Sequence, residues 1–341
     1  MRPAASRLPD MVQIGFAAAL EHLHPRDAVE LAQRAEVRGF SGVAASDVMA
    51  PWVPGQGQAS FVWNVLTAIA ERTTGDVGPA VAVPTFRWHP AVLAQASATL
   101  AAMYPGRHWL GIGAGEAINE HAVATYWPEA PERINRMFEA IELISKLLTN
   151  SAAGKDTKHS GEYFKLESTR LWTVPEEPPP ILVGTAGPVT ARRAGRHADG
   201  ILSMGGPSEK VATLFDRVRQ GARERGRDPD ATHRVIQLHS SWAATDTEAL
   251  SNALRTWPNG ALRFNKADLR SPFEVAQIAR MVRPEDAHAA MVISADPADH
   301  LAEIQRYVDL GATAIYLHNT GPNQAEWIEK FGTDVLPQVV H

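Results

Sequence analysis

The sequence predicts an α/β fold, a (β/α)8 barrel with insertions after its fourth and seventh strands. Three observations lead there. Short apolar runs and amphipathic stretches alternate along the chain, roughly eight times. No break in composition divides the 341 residues, and a 45% apolar content can bury one large core. Polar and glycine-rich segments follow the strand candidates, as expected where barrel strands open into loops.

The first strand spans residues 12–19, and Pro25 opens a helix running to Gly39. Residues 42–46 form the second strand, which ends in Asp47 and a loop holding Pro51, Trp52, Pro54, Gly55 and Gly57. Residues 61–73 read as helix, 77–83 as the third strand, and 89–104 as a helix stopped by Pro105-Gly106. Residues 109–113 are the fourth strand. A helix over 131–149 carries Ile134, Met137, Phe138, Ile141, Ile144 and Leu148 at helical spacing, and the polar stretch 151–168 reads as an insertion with a small hairpin. The fifth strand is 181–184, with Gly187-Pro188 opening a helix through His197; the sixth is 201–204, followed by a helix over 209–225. Residues 235–244 have strand character, 256–289 form an irregular, proline-bounded helical insertion, and 292–294 are too short to assign. The last strand is 314–318, with a closing helix from Asn323. Residues 1–11 read as a flexible leader and 12–341 as one domain.

A formal net charge of −5 without a long Lys or Arg run gives no footprint for nucleic acid or an anionic membrane. The expected partner is a small molecule. With no cysteine, neither disulfides nor thiolate chemistry is available. No stretch approaches the roughly 18 apolar residues of a membrane span, and no secretory signal pattern precedes the first strand, so a cytoplasmic location is expected.

Chemistry concentrates at residues 109–120, WLGIGAGEAINE, where a strand runs into Gly111, Gly113 and Gly115 and then Glu116. Glycines there let backbone approach a ligand, or serve only a tight turn. A dinucleotide fingerprint needs glycine at position 116 and is excluded by the glutamate. In a barrel, Asp47, Val83, Glu116, Asn119 and the 185–187 segment collect on one face. Asp47 alone reads equally well as a turn cap, and Trp52 as a stacking wall or a loop plug. His22 and His24 form an H-x-H pair without a third ligand at a convincing spacing, so no metal is expected. His121 reads as a surface or capping group. The absence of G-x-S-x-G and P-loop patterns removes support for serine hydrolysis and phosphoryl transfer.

Four ordered motifs, SDVMAPW at 46–52, PTFRWHPAVLAQASATLAAMYPGR at 84–107, LGIGAGEAINE at 110–120 and VGTAGP at 183–188, resemble the luciferase-like oxidoreductases. Within them the likeness is to the deazaflavin branch typified by the coenzyme F420-dependent glucose-6-phosphate dehydrogenases. The resemblance implies a (β/α)8 barrel holding coenzyme F420 at the C-terminal strand ends, hydride transfer at ring carbon five, and, as is common in the family, a homodimer. It places cofactor contacts on Asp47, Val83, Ala114, Gly115, Asn119, Ala186, Gly187, Val189 and Thr190, and a non-proline cis peptide at Ala80-Val81. Glu116 and Trp52 match the family's active-site glutamate and tryptophan.

Two departures redirect the expected activity. Val48 stands where sugar-phosphate-oxidising relatives carry a catalytic histidine. Two of their three phosphate-binding cations fall on Pro207 and Ala290, leaving Lys266. The resulting expectation is an F420H2-dependent reductase of an uncharged or planar acceptor, with Val48, Met204 and Lys266 at the substrate pocket. The alternatives are an F420-dependent sugar-phosphate or alcohol dehydrogenase, an FMN-dependent monooxygenase, and a non-catalytic carrier or sensor.

Overall fold

The computed structural model describes residues 11–123 and 126–340, so residues 1–10 of the leader lie outside the described part. Parallel strands β1 (Gln13–Ala18), β2 (Gly42–Ala45), β3 (Asp76–Pro79) and β4 (Leu110–Ile112) supply half of a barrel. The other half comprises β7 (Ile181–Gly184), β8 (Gly200–Met204), β9 (His233–Ser241) and β11 (Ala314–Asn319). They pair in the order β3-β2-β1-β11-β9-β8-β7-β4, and parallel bridges Val77–His108 and Ala82–Ile112 close the ring. A short strand β10 (Val292–Ile293) pairs with Ser240 and Ser241 of β9, beyond the last β8 pair, Met204–Gln237.

Alternation along the strands sorts side chains into two layers. Outward-facing Ile14, Phe16, Val43, Ile112, Val183 and Ile236 pack against the surrounding helices. The interior takes small residues such as Ala17, Ala44 and Ala314 together with Trp109 and Tyr316. Those two rings fit because Gly78 and Gly15 face them: an added Cβ would lie 2.2 Å from Trp109 and 2.4 Å from Tyr316. Below them Tyr316 Oη donates to the Asp76 carboxyl at 2.8 Å and accepts from Trp109 Nε1 at 3.1 Å. Burial pushes Asp76 up to about 7, with the Tyr316 hydrogen bond pulling the other way.

Helix α1 (Pro25–Val37) opens on Pro25, with His24 as its cap, its Nδ1 accepting from the Arg26 N–H at 3.4 Å. The H-x-H pair is therefore split, since His22 turns into the protein. Helices α2 (Val62–Arg72) and α3 (Pro90–Met103) follow as expected. After β4 come a short helix α4 (Ala117–Glu120), the long α5 (Ala130–Ala152) and the antiparallel hairpin of β5 (Thr157–Ser160) and β6 (Lys165–Thr169). Helices α6 (Pro188–His197) and α7 (Ser208–Arg223) flank β8.

The insertion after β9 differs from the sequence expectation in detail. It begins with a regular helix, α8 (Asp246–Thr256), and continues as a 3-10 turn at Pro258–Ala261 and the short helices α9 (Pro272–Ala279) and α10 (Pro284–His288). A further helix, α11 (Pro297–Asp309), precedes β11, and α12 (Gln324–Asp334) closes the chain. The sequence reading assigned neither α8 nor α11. Both carried start signals: Thr245 accepts from the Glu248 N–H at 3.2 Å, and Asp296 from the Ala298 N–H at 2.9 Å. The expected third strand is also shorter. It stops at Pro79, and the Ala80-Val81 bond that follows is cis.

Candidate active site

The C-terminal strand ends open into a cavity of about 1280 Å³. Asp47, Val48 and Trp52 come from the loop after β2, and Ala80, Val81 and Val83 from the end of β3. Ala114, Gly115, Glu116 and Asn119 follow β4, while Ala186, Met204 and Lys266 come from the far wall. Gly187, Val189 and Thr190 lie outside this wall, at the N-terminus of α6, where Val189 is 82% exposed. Pro207 and Ala290 line the cavity as well, so no cation stands at either position.

Asp47 is no turn cap. Its Oδ2 lies 3.3 Å from Arg87 Nη2, and Arg87 Nε reaches Glu120 Oε1 at 2.7 Å. All three side chains are at most 5% exposed. Burial raises the pKa of Asp47 and Glu120, although Arg87 opposes it. Asp47 Oδ2 meets Arg87 in that ion pair but has no aligned hydrogen-bond donor among the described residues, so it can still accept from a ligand's N–H or O–H.

Asn119 fastens the β2 loop to α4: its Oδ1 accepts from the N–H groups of Met49 at 2.9 Å and Ala50 at 3.3 Å. Gln56 ties that loop to the insertion, accepting from Trp52 N–H at 2.8 Å and donating to Thr256 O at 3.0 Å. Trp52 plugs its loop onto the insertion and also borders the cavity. It packs into the insertion's apolar cluster with Val53 and Trp257, and it also faces the cavity with Lys266 Nζ 5.4 Å from its ring centre.

Glu116 begins α4, and its Oε2 accepts from Asn119 Nδ2 at 3.4 Å. Burial pushes its carboxyl up to about 7; Lys266 counters this, while Glu21 and Glu120 add to it. A carboxyl so poised exchanges protons readily near neutrality. Lys266 donates to Asn259 O at 2.7 Å, and burial lowers its pKa against the pull of Glu116.

Sequence reasoning missed Arg87, Glu120, Glu21 and His239. Arg87 sits inside the 84–107 motif, which was the available signal. Glu21, at the end of the first strand, accepts from Ser46 Oγ at 2.6 Å and is raised by burial. His239 lines the cavity from β9, a strand whose apolar pattern drew attention away from it.

Acidic groups, glycines and a deep cleft gathered at the C-terminal ends of barrel strands define a barrel enzyme. The chain belongs to the luciferase-like monooxygenase family, whose profile matches residues 11–314. It is 35% identical to an F420-dependent glucose-6-phosphate dehydrogenase of Nakamurella multipartita, over 97% of each chain. It is equally 35% identical to F420-dependent glucose-6-phosphate dehydrogenase 2 of Rhodococcus jostii, over 97% of this chain and 99% of that one. Among solved structures it superposes on an F420-dependent secondary alcohol dehydrogenase bound to an F420-acetone adduct, with a TM-score of 0.91 and 29% identity over 97% of this chain and 99% of that one. The F420-dependent tetrahydromethanopterin reductase of Methanopyrus kandleri shares the fold at a TM-score of 0.77 and 20% identity, over 96% and 99% of the two chains.

Proposed function

We propose that this chain is a coenzyme F420-dependent oxidoreductase, working as an F420H2-dependent reductase of an uncharged or planar organic acceptor. Glu116 carries the reading, as a cavity carboxyl raised to about 7 in a chain whose relatives are named F420-dependent. Bound coenzyme F420 supplies a two-electron hydride carrier at ring carbon five. The residues at hand fit it. Asp47 Oδ2, ion-paired to Arg87 but without an aligned hydrogen-bond donor among the described residues, offers an acceptor, and Val83, Ala114, Gly115 and Asn119 would flank the ring, with the Ala80-Val81 peptide beside it. Its anionic tail would meet the first-turn N–H groups of α6 at Val189 and Thr190, beside Gly187, whose own N–H donates to Thr185 Oγ1 at 3.1 Å; that turn is free of acidic residues, and Ala186 precedes it. Glu116 then gives or takes the substrate proton, while Trp52 and Val48 keep water off that end of the cavity.

An uncharged substrate follows from Pro207, Ala290, Met291 and Ile293 in the same wall, and from Arg306 there being paired to Glu303. The named relatives favour a second reading, alcohol or sugar-phosphate oxidation, which Val48 opposes because it offers no proton acceptor. One barrel domain over 12–341, a homodimer and a cytoplasmic location complete the proposal; light scattering tests the dimer. Titrating the apoprotein with deazaflavin and with FMN tests the core of it. Micromolar deazaflavin affinity is expected; FMN binding with none for deazaflavin would replace this reading with a flavin monooxygenase.

A further inference from the structure

Three histidines from three strand ends form a hydrogen-bonded line. His239 Nδ1 lies 2.7 Å from His318 Nδ1, and His318 Nε2 lies 3.2 Å from His22 Nε2. The rings surround Trp257, whose ring centre is 5.1, 4.5 and 5.9 Å from those of His239, His318 and His22. The two ends face differently. His239 lines the cavity, His318 is 1% exposed, and His22 is partly exposed but not part of the cavity wall.

A neutral imidazole has one N–H and one acceptor nitrogen, and each N···N bond needs one hydrogen. His318 uses both nitrogens, so its tautomer dictates the other two. In one arrangement His239 presents N–H at Nε2 to the cavity and His22 keeps an acceptor at Nδ1. In the other His239 Nε2 is an acceptor and His22 Nδ1 carries the hydrogen. A proton entering at one end expels one at the other, and no ring holds charge at rest. Burial supports neutral rings: it lowers His239 to about 3 and His22 to about 4, and drives His318 well below its usual value. Lys266 and His22 add to this on His239, and Glu21 and Glu116 line the same cavity as His239.

We propose that His239, His318 and His22 form a proton relay between the cavity and solvent at the partly exposed His22, in the turn after β1, returning to Glu116 the proton it gives up in each turnover. The inference rests on the reductase reading. When bound, reduced coenzyme F420 would supply hydride to the acceptor carbon and give up its second hydrogen as a proton. The adjoining oxygen or nitrogen takes the Glu116 proton. The carboxylate recovers a proton from His239 Nε2–H through water or product in the shared cavity. His318 Nδ1–H then passes to His239 Nδ1, His22 Nε2–H to His318 Nε2, and solvent reprotonates His22 Nδ1, leaving the second arrangement; the proton that the coenzyme would give up enters at His239 Nε2, reverses the hops, leaves at His22 Nδ1 and restores the first. All three are positioning residues, acting on substrate through Glu116.

His22→Ala tests this, examined at pH 6, where Glu116 starts mostly protonated. The first turnover on pre-bound F420H2 should run at the wild-type rate, while steady-state kcat falls about 10²-fold, the scale of a lost proton-transfer group. Added imidazoles should restore steady turnover, with rates that follow their pKa. A failure of Glu116 itself looks different, because Glu116→Gln then leaves the first turnover intact. Unchanged kcat in His22→Ala, or a loss that imidazoles rescue without regard to their pKa, would overturn the relay. A second measurement needs neither folding of a variant nor cofactor: ¹⁵N-histidine spectra of the wild-type protein should show two protected N–H···N protons and three neutral rings at pH 7. An imidazolium at His239, or a His318 nitrogen without a hydrogen-bonded partner, would refute it.

Discussion

Replacing Glu116 by glutamine separates a reactive carboxyl from a merely structural one, because the two roles move stability and turnover in opposite senses. With the folded group at about 7 and the ordinary value at 4.5, holding the carboxyl ionised costs about 3 kcal/mol, at about 1.4 kcal/mol per pH unit. Below pH 4.5 the group is protonated whether the chain is folded or not, and its contribution is intact. As pH rises through about 7 the folded group ionises and that contribution is lost. Glutamine never ionises and can keep the Asn119 contact. Glu116→Gln should therefore match the wild type near pH 4 and exceed it by up to about 3 kcal/mol at pH 8, while turnover falls by about 10²-fold or more. Urea unfolding at the two pH values, beside F420H2 oxidation followed at 420 nm, measures both. A variant less stable than wild type at pH 8 would refute the electrostatics, and one with full turnover would refute the proton-handling role.

Arg87→Leu should cost about 3–5 kcal/mol in urea unfolding at pH 7, since it strands the buried Asp47 and Glu120 carboxylates, and less at pH 4 where both can be neutral. Gly187→Val should leave the fold intact, because nothing lies within 4 Å of an added Cβ, yet weaken deazaflavin binding about tenfold or more by crowding the anion at α6. Unchanged affinity by fluorescence titration would send the tail elsewhere. Glucose 6-phosphate should not be oxidised usefully: two missing cationic contacts, each worth about 1.5–3 kcal/mol, weaken binding roughly 10²- to 10⁴-fold. Turnover near 1 s⁻¹ at millimolar substrate, a rate on the order typical of enzymes, would restore the dehydrogenase reading.

The barrel was legible because its strands and helices alternate with clear periodicity. Glu116 was legible because glycines precede it directly. What escaped the sequence was held by distance along the chain. Asp47 gives no hint that Arg87, forty residues away, holds it. His22, His239 and His318 belong to three strand ends, and the local H-x-H spacing pointed His22 toward the wrong partner, His24. Helices α8 and α11 hid behind an irregular insertion although Thr245 and Asp296 marked their starts.

Barrel enzymes are often diversified by exchanging one loop at a time, and the Arg87 pairings set a limit on that here. Arg87, after β3, grips the loop after β2 through Asp47 and the loop after β4 through Glu120, and Gln56 and the Ala117 N–H to Ala267 O bond fasten the same group to the insertion. Those segments would have to be transplanted together, as a cassette, or not at all. Directed evolution of new substrates has more freedom across the cavity, where Met204, Pro207, Ala290 and Met291 can be varied without disturbing that lattice of charges.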